Sequence, residues 1–151
     1  MNKTTDHNGA LVAWTIDDSE FDMKLNHRIL TRSGAFVQVH GFHSPQDALD
    51  ELRALADFPH VIFLDVIMPV MNGFDFLATA TQEFGDDFAS SVVIMLTSSL
   101  NPRDRAKAEA FDAVRGFLPK PLTIHDSQQV ATDAAIIMRL VPCDETRATS
   151  G

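Results

Sequence analysis

The chain has 151 residues, a formal net charge of −9 and a single cysteine, Cys143. That length points to one domain, the lone cysteine excludes a disulfide framework or a cysteine metal site, and an acidic balance with scattered Lys and Arg excludes a nucleic-acid surface. With no secretory apolar core and no apolar run of membrane-spanning length, a cytoplasmic protein with no membrane contact is expected.

In chain order, residues 1–9 are polar and are expected to be disordered. Leu11 to Ile16 reads as a strand covered on both faces, because it is apolar almost throughout. Ser19 is an N-cap for a first helix whose face is marked by Phe21, Leu25 and Ile29, and Gly34 ends it. Phe36 to Phe42 alternates and reads as a half-exposed edge strand. Ser44-Pro45 opens a second helix carrying Ala48, Leu52, Leu55 and Ala56. Val61 to Leu64 is a short buried strand stopped by Asp65.

Pro69 and Gly73 break the chain before a third helix lined by Phe74, Leu77, Ala78 and Thr81. Ser91 to Leu96 is the fourth strand. Asn101-Pro102 begins a fourth helix that is polar for much of its length and holds the densest basic group, Arg103, Arg105 and Lys107. Gly116 to Leu118 is the fifth strand, and Thr123 caps a last helix with Val130, Ala134, Ile137, Met138 and Val141 on one face. Five βα repeats predict an α/β domain with a parallel sheet, right-handed crossovers and helices on both faces. The domain is expected over 10–140, with 141–151 as a flexible tail.

Four polar islands end the predicted strands: Asp17-Asp18, Asp65, Thr97-Ser98 and Lys120-Pro121. An aspartate after a strand is commonly just a cap or turn former. All four, however, fall at the same end of successive strands of a parallel sheet, the edge where ligands bind. Clustered carboxylates repel one another unless a cation sits among them, and a hard divalent ion such as Mg²⁺ takes oxygen ligands and bridges to phosphoryl groups. Lys120 adds a charge for a phosphoryl oxygen, Thr97 a hydroxyl, and an aspartate is a competent nucleophile for phosphoryl transfer.

Together, the Asp-Asp pair after the first strand, D-V-I-M-P-V-M-N-G from Asp65, L-T-S after the fourth strand and F-L-P-K-P at the fifth resemble the receiver domain of bacterial two-component response regulators, of the single-domain, chemotaxis-regulator type. The resemblance runs from about Ala10 to Leu140. It implies a doubly wound, flavodoxin-like (βα)5 fold with strand order 2-1-3-4-5. It makes Asp65 the acceptor of a phosphoryl group from a histidine, with Asp18, Asp65 and the Ile67 backbone carbonyl as ligands of Mg²⁺ and Asp17 acting on the metal mainly through water. Lys120 would contact the phosphoryl oxygens, Thr97 would move to them, Phe117 would be the aromatic switch, and the Lys120-Pro121 peptide would be cis. A sensor histidine kinase or phosphotransfer protein upstream, and a protein effector downstream, are the implied partners. The effector would read a face formed by the helix after the fourth strand, the fifth strand and the last helix. A monomer or weak dimer without an output domain of its own is expected.

Two positions that tune hydrolysis of the aspartyl phosphate in that family carry Ile67 and Ser99 here. An isoleucine cannot orient water by a hydrogen bond, so hydrolysis is not expected to be fast. The segment from Ser99 to Gly116 departs from the commoner glycine-ended pattern, and Phe117 has no hydroxyl. An Mg²⁺-dependent phosphohydrolase using Asp65 is an alternative, but a haloacid-dehalogenase-like pattern expects an aspartate where Ile67 stands. A non-phosphorylated binding module on the same fold is another, and retention of every charged site residue argues against it. The six histidines lack zinc-ligand spacing. His27 reads as a surface helical residue, and Trp14 as core.

Overall fold

The structure, a computed structural model, describes residues 11–55, 57–98 and 101–138. Among these, β1 (Val12–Ile16), β2 (Gln38–Phe42), β3 (Val61–Asp65), β4 (Val92–Thr97) and β5 (Val114–Pro119) form one sheet in the order β2-β1-β3-β4-β5, and every pairing is parallel. The helices are α1 (Glu20–Ser33), α2 (Pro45–Ala54), α3 (Gly73–Phe84), α4 (Asp86–Ala89), α5 (Pro102–Glu109) and α6 (Ile124–Ile137). This is the predicted flavodoxin-like sheet, with one short helix, α4, that the βα count had not anticipated. Gly85, at φ 55, turns the chain from α3 directly into it. The expected disordered start, the C-terminal tail, Ala56, Ser99, Val141 and Cys143 lie outside the described residues.

The period-2 alternation of each central strand sends its side chains to two cores. Trp14, Ile16, Ile62, Leu64, Val93 and Met95 pack on one face with Leu49, Leu52, Phe76 and Phe88. Leu11, Ala13, Val61, Phe63, Ile94 and Leu96 pack on the other with Leu30, Val130 and Ala134. Each fully buried Leu or Phe contributes about 2 kcal/mol, so β1, β3 and β4 are rigid rods, while β2 and β5 are half-exposed edges. The strand ends that carry the site belong mainly to the rigid set.

The caps are where the sequence placed them: Ser19, Ser44 and Thr123 each accept a hydrogen bond from the backbone N–H three residues on, and Gly34 closes α1 in the left-handed region. Several helix faces differ from expectation. On α1 the sheet-facing residues are Asn26, Leu30 and Ser33, whereas Phe21 is 75% exposed. Each i+4 step overshoots a full turn by about 40°, so the row from Phe21 through Leu25 to Ile29 starts on the solvent side and only reaches the edge of the core at Ile29, which is partly buried. The same drift makes Gly73, Phe76, Leu77 and Ala80 the buried stripe of α3, with Ala78 and Thr81 exposed. On α6 Ile137, although it lies on the face of Val130, is the last residue of the helix and is 41% exposed. Nor is His27 a simple surface residue: it is half-buried and its Nε2 donates to the Val39 carbonyl at 3.0 Å, tying α1 to β2.

Between β3 and α3 the chain reverses tightly. A capping box joins Asn72 and Asp75 reciprocally at 2.9 and 3.1 Å, and the Gly73 N–H donates to the Val66 carbonyl at 3.0 Å. A Cβ on Gly73 would stand 2.6 Å from the Asp65 carbonyl oxygen and 3.2 Å from Val66 Cα. These are backbone atoms that cannot swing aside, so only glycine lets α3 start against the end of β3. Gly73→Ala is expected to destabilise the protein by about 1–3 kcal/mol, read as a lower urea midpoint; an unchanged midpoint would contradict this packing.

Candidate functional site

At the C-terminal edge of the sheet the four islands converge. Asp17 follows β1, Asp65 ends β3, Thr97 ends β4 and Lys120 follows β5. Backbone bonds hold these ends together: the Asp17 N–H donates to the Phe42 carbonyl at 3.0 Å, the Val66 N–H to Leu96 at 3.1 Å and the Lys120 N–H to Thr97 at 2.9 Å. The Lys120-Pro121 peptide is cis, as the resemblance implied. The result is a cleft of about 240 Å³ bordered by Asp17, Asp18, Asp22, Asp65, Thr97 and Lys120, with Ser19, Ile67 and Ser98 at its rim.

The cleft is built around one ammonium. Lys120 Nζ lies 2.8 Å from Asp17 Oδ2, 3.1 Å from Asp65 Oδ1 and 3.5 Å from Asp22 Oδ2. Asp17 is fully buried. Its second oxygen accepts the Ser19 N–H at 3.0 Å, so both oxygens have partners, the condition under which a buried carboxylate is tolerated. Burial opposes the charge on Lys120, but its hydrogen bonds and ion pairs with Asp17 and Asp65 outweigh this and push its pKa up to about 12. It is a permanent cation.

Asp65 experiences the opposite balance. Burial, then the neighbouring charges of Asp17 and Asp18, push its pKa up to about 6 despite the attraction of Lys120. Asp17, Asp18 and Asp65 each offer an oxygen, and these all lie within 4.8 Å of one another. Asp18 is the exposed member, so the cluster opens to solvent. Three hard oxygen donors on one side and a fixed ammonium on the other suit a hydrated divalent cation of the Mg²⁺ type with a phosphoryl group between them. Thr97 is buried at the floor.

The structure brings together Asp17, Asp18, Asp65, Ile67, Thr97 and Lys120. It leaves Phe117 outside the cleft. That ring is half-buried in β5, packed against the core, with Arg105 Cζ 5.2 Å above its centroid. The Ile67 side chain is 67% exposed, so no carboxylate stands where a haloacid-dehalogenase-like enzyme would hold its second acid. Asp22 was not anticipated. It lies one turn into the helix capped by Ser19, and that position relative to Asp18 was the available signal. Asn101 caps α5 through the Arg103 N–H at 2.8 Å, and Ala108 is the helix's one buried residue. Its further anchors are cations on rings, Arg105 over Phe117 and Lys107 over Phe74 at 4.8 Å.

This fold and this cleft are those of a receiver domain. The chain belongs to the response regulator receiver domain family, whose model matches residues 14–132. It is similar to hybrid signal transduction histidine kinase C of Dictyostelium discoideum, with 30% identity over 111 residues, which is 70% of this chain and 9% of that protein. Among solved structures it resembles a two-component response regulator from Cytophaga hutchinsonii (TM-score 0.77, 30% identity, 84% of this chain and 98% of the other). It also resembles a response regulator receiver protein from Dyadobacter fermentans (TM-score 0.73, 33% identity, 83% of this chain and 98% of the other). The chain spans between 9% and 19% of the length of the curated relatives it matches. Among the described residues, no helix is long and apolar enough to cross a membrane.

The raised pKa of Asp65 has a stability consequence. Its ordinary value is 3.8 and its folded value about 6, so in metal-free protein the ionised form is disfavoured by folding. That cost is complete above pH 6 and vanishes as pH falls through 4. Asp65→Asn removes it. The metal-free variant is expected to be more stable than the parent by about 1–3 kcal/mol at pH 7.5, with the gap closing toward pH 4. Denaturant titrations across that range check this, and a gap that is absent or independent of pH would contradict the assignment.

Proposed function

We propose that this receiver accepts a phosphoryl group on Asp65 from a phosphohistidine of a sensor kinase or phosphotransfer protein, and passes the signal to a protein effector. The observation that carries this reading is the Lys120 ammonium bridging Asp17 and Asp65 at 2.8 and 3.1 Å beside three carboxylates whose oxygens share one small space. In the transfer, an Asp65 oxygen bonds to phosphorus while the P–N bond of the donor breaks, and its electron pair returns to the imidazole.

Asp18, Asp65 and the Ile67 carbonyl would hold Mg²⁺, with Asp17 acting through water. When bound, the ion supplies charge neutralisation for the oxygens of the transferring group. The remaining work is done by the chain. Lys120 trades Asp65 for a phosphoryl oxygen and keeps Asp17 as its anchor, so the charge that develops meets a cation already in place. Thr97 offers its hydroxyl from the end of β4.

The phosphorylated state then favours a second arrangement of the loop after β4 and of the α5-β5-α6 face. The sparse apolar anchoring of α5 supports that face as the part that changes, with Phe117 as the ring that changes place. A cation–π contact at an exposed site is worth about 0.5–1 kcal/mol, small enough for a new phosphoryl contact to outweigh. Cytoplasmic location and a monomeric or weakly dimeric state complete the proposal.

Incubation with acetyl phosphate and Mg²⁺, followed by intact-mass measurement, is expected to add one phosphoryl group per chain. Asp65→Asn should abolish the addition, and chelation of the metal should reduce it strongly. Labelling that survives Asp65→Asn would defeat the assignment, and continuous release of many phosphates per minute would favour the phosphohydrolase instead. The decay of the labelled protein tests Ile67, whose side chain cannot orient water. Ile67→Asn is expected to alter the dephosphorylation rate about threefold or more, and an unaltered rate would remove Ile67 from any tuning role.

A further inference from the structure

One carboxylate of the cleft has no part in the transfer described above. Asp22 sits in the first turn of α1, and its backbone N–H is taken by Ser19 Oγ at 3.2 Å. The cap therefore uses the Asp22 backbone and leaves its side chain for other work. That side chain reaches Lys120 Nζ at 3.5 Å. At 38% exposed, against 1% for Asp17 and 8% for Asp65, it stands at the solvent mouth of the cleft. Lys120 is already held by two closer carboxylates, so a third is not needed to keep it in place. Four carboxylates and one ammonium thus line the cleft, and three of the four, Asp17, Asp65 and Asp22, lie within 3.5 Å of that ammonium.

We propose that Asp22 is a donor-selecting residue that disfavours free anionic phosphodonors and favours a phosphohistidine presented by a protein with a basic side chain beside it. The proposal rests on Asp65 being the phosphoacceptor. Two physical effects act in the same direction. An anion entering the cleft approaches an extra negative charge at its mouth, and Asp22 competes with the arriving phosphoryl oxygens for the Lys120 hydrogens. A small donor such as acetyl phosphate brings only negative charge to this encounter. A protein donor can place its own Lys or Arg against Asp22, which turns repulsion into attraction and frees Lys120. With acetyl phosphate the step balances simply: the Asp65 oxygen bonds to phosphorus as the acyl P–O bond breaks, and acetate leaves with the electron pair.

The test compares phosphorylation of the wild-type chain, Asp22→Asn and Asp22→Glu by acetyl phosphate at saturating Mg²⁺, followed by intact mass. At about 20 mM ionic strength, where charges act over some 20 Å, Asp22→Asn is expected to label about three- to tenfold faster than wild type. The ratio should fall toward one near about 0.5 M salt, and Asp22→Glu, which keeps the charge, should track wild type. In metal-free protein the Lys120 ammonium resonance should move in Asp22→Asn, reporting the lost contact without any turnover. Equal or slower labelling of Asp22→Asn, or a rate ratio indifferent to salt, overturns the role of Asp22 while leaving Asp65 as acceptor. If Asp65 is not labelled in any of the three proteins, the phosphoacceptor reading fails and this inference falls with it.

Discussion

The ion cluster of Lys120 with Asp17 and Asp65 is the constraint on which the rest of the structure depends. A fully buried carboxylate, Asp17, and a nearly buried one, Asp65, end adjacent strands, and neither would be tolerated there without a cation. Lys120 supplies it from across the sheet, and its own strand pairs not with β1 or β3 but with β4. The cluster therefore requires four strands in the right order and register before it exists. Conversely, those strands bring two carboxylates together whose mutual repulsion the Lys120 ammonium offsets. The fold and the site specify each other.

The cluster is also poised rather than saturated. Lys120 is held charged, and burial and like charge push the pKa of Asp65 up to about 6. Any positive charge brought among the three aspartates relieves that frustration, and any phosphoryl oxygen offers Lys120 a substitute for Asp65. A site that is costly when empty and relieved by its ligands is well placed to couple chemistry to conformation. The coupling proposed above would run along β4 and β5. Thr97 lies opposite Pro119 in the register, Lys120 hydrogen-bonds the Thr97 carbonyl, and Phe117 stands just upstream under Arg105. α5, with one buried residue in its length and two cations laid on rings, is only lightly anchored to the core.

Much of this was legible in the sequence because the signals were local. Apolar runs ending in Asp17, Asp65, Thr97 and Lys120 gave the strands and the edge on which the residues meet, and Ser19, Ser44 and Thr123 gave the helix starts. Helix faces were less legible. The apolar residues Phe21, Leu25 and Ile29 drift around α1, and the residues that face the sheet include the polar Asn26 and Ser33, which no apolar pattern can reveal. Asp22 was missed for a related reason: a carboxylate in a first helical turn is ordinary for a helix dipole, and only the packing of α1 against β1, β2 and α6, which sets its first turn at the mouth of the cleft, brings it to Lys120. The short α4 follows from Gly85, whose left-handed φ a sequence pattern does not distinguish from a simple helix stop.

The central claim is that Lys120 exchanges its Asp65 partner for the group carried by Asp65, and that this exchange reaches Phe117. A crystal structure of the protein with Mg²⁺ and beryllofluoride, which mimics the aspartyl phosphate, tests it most directly. The account predicts beryllofluoride on Asp65, the Lys120 ammonium on its fluorines with Asp17 still attached, and Phe117 released from Arg105. A structure with Asp65 unmodified and Lys120 still paired to it, or with the adduct formed and Lys120 turned away, would contradict the account.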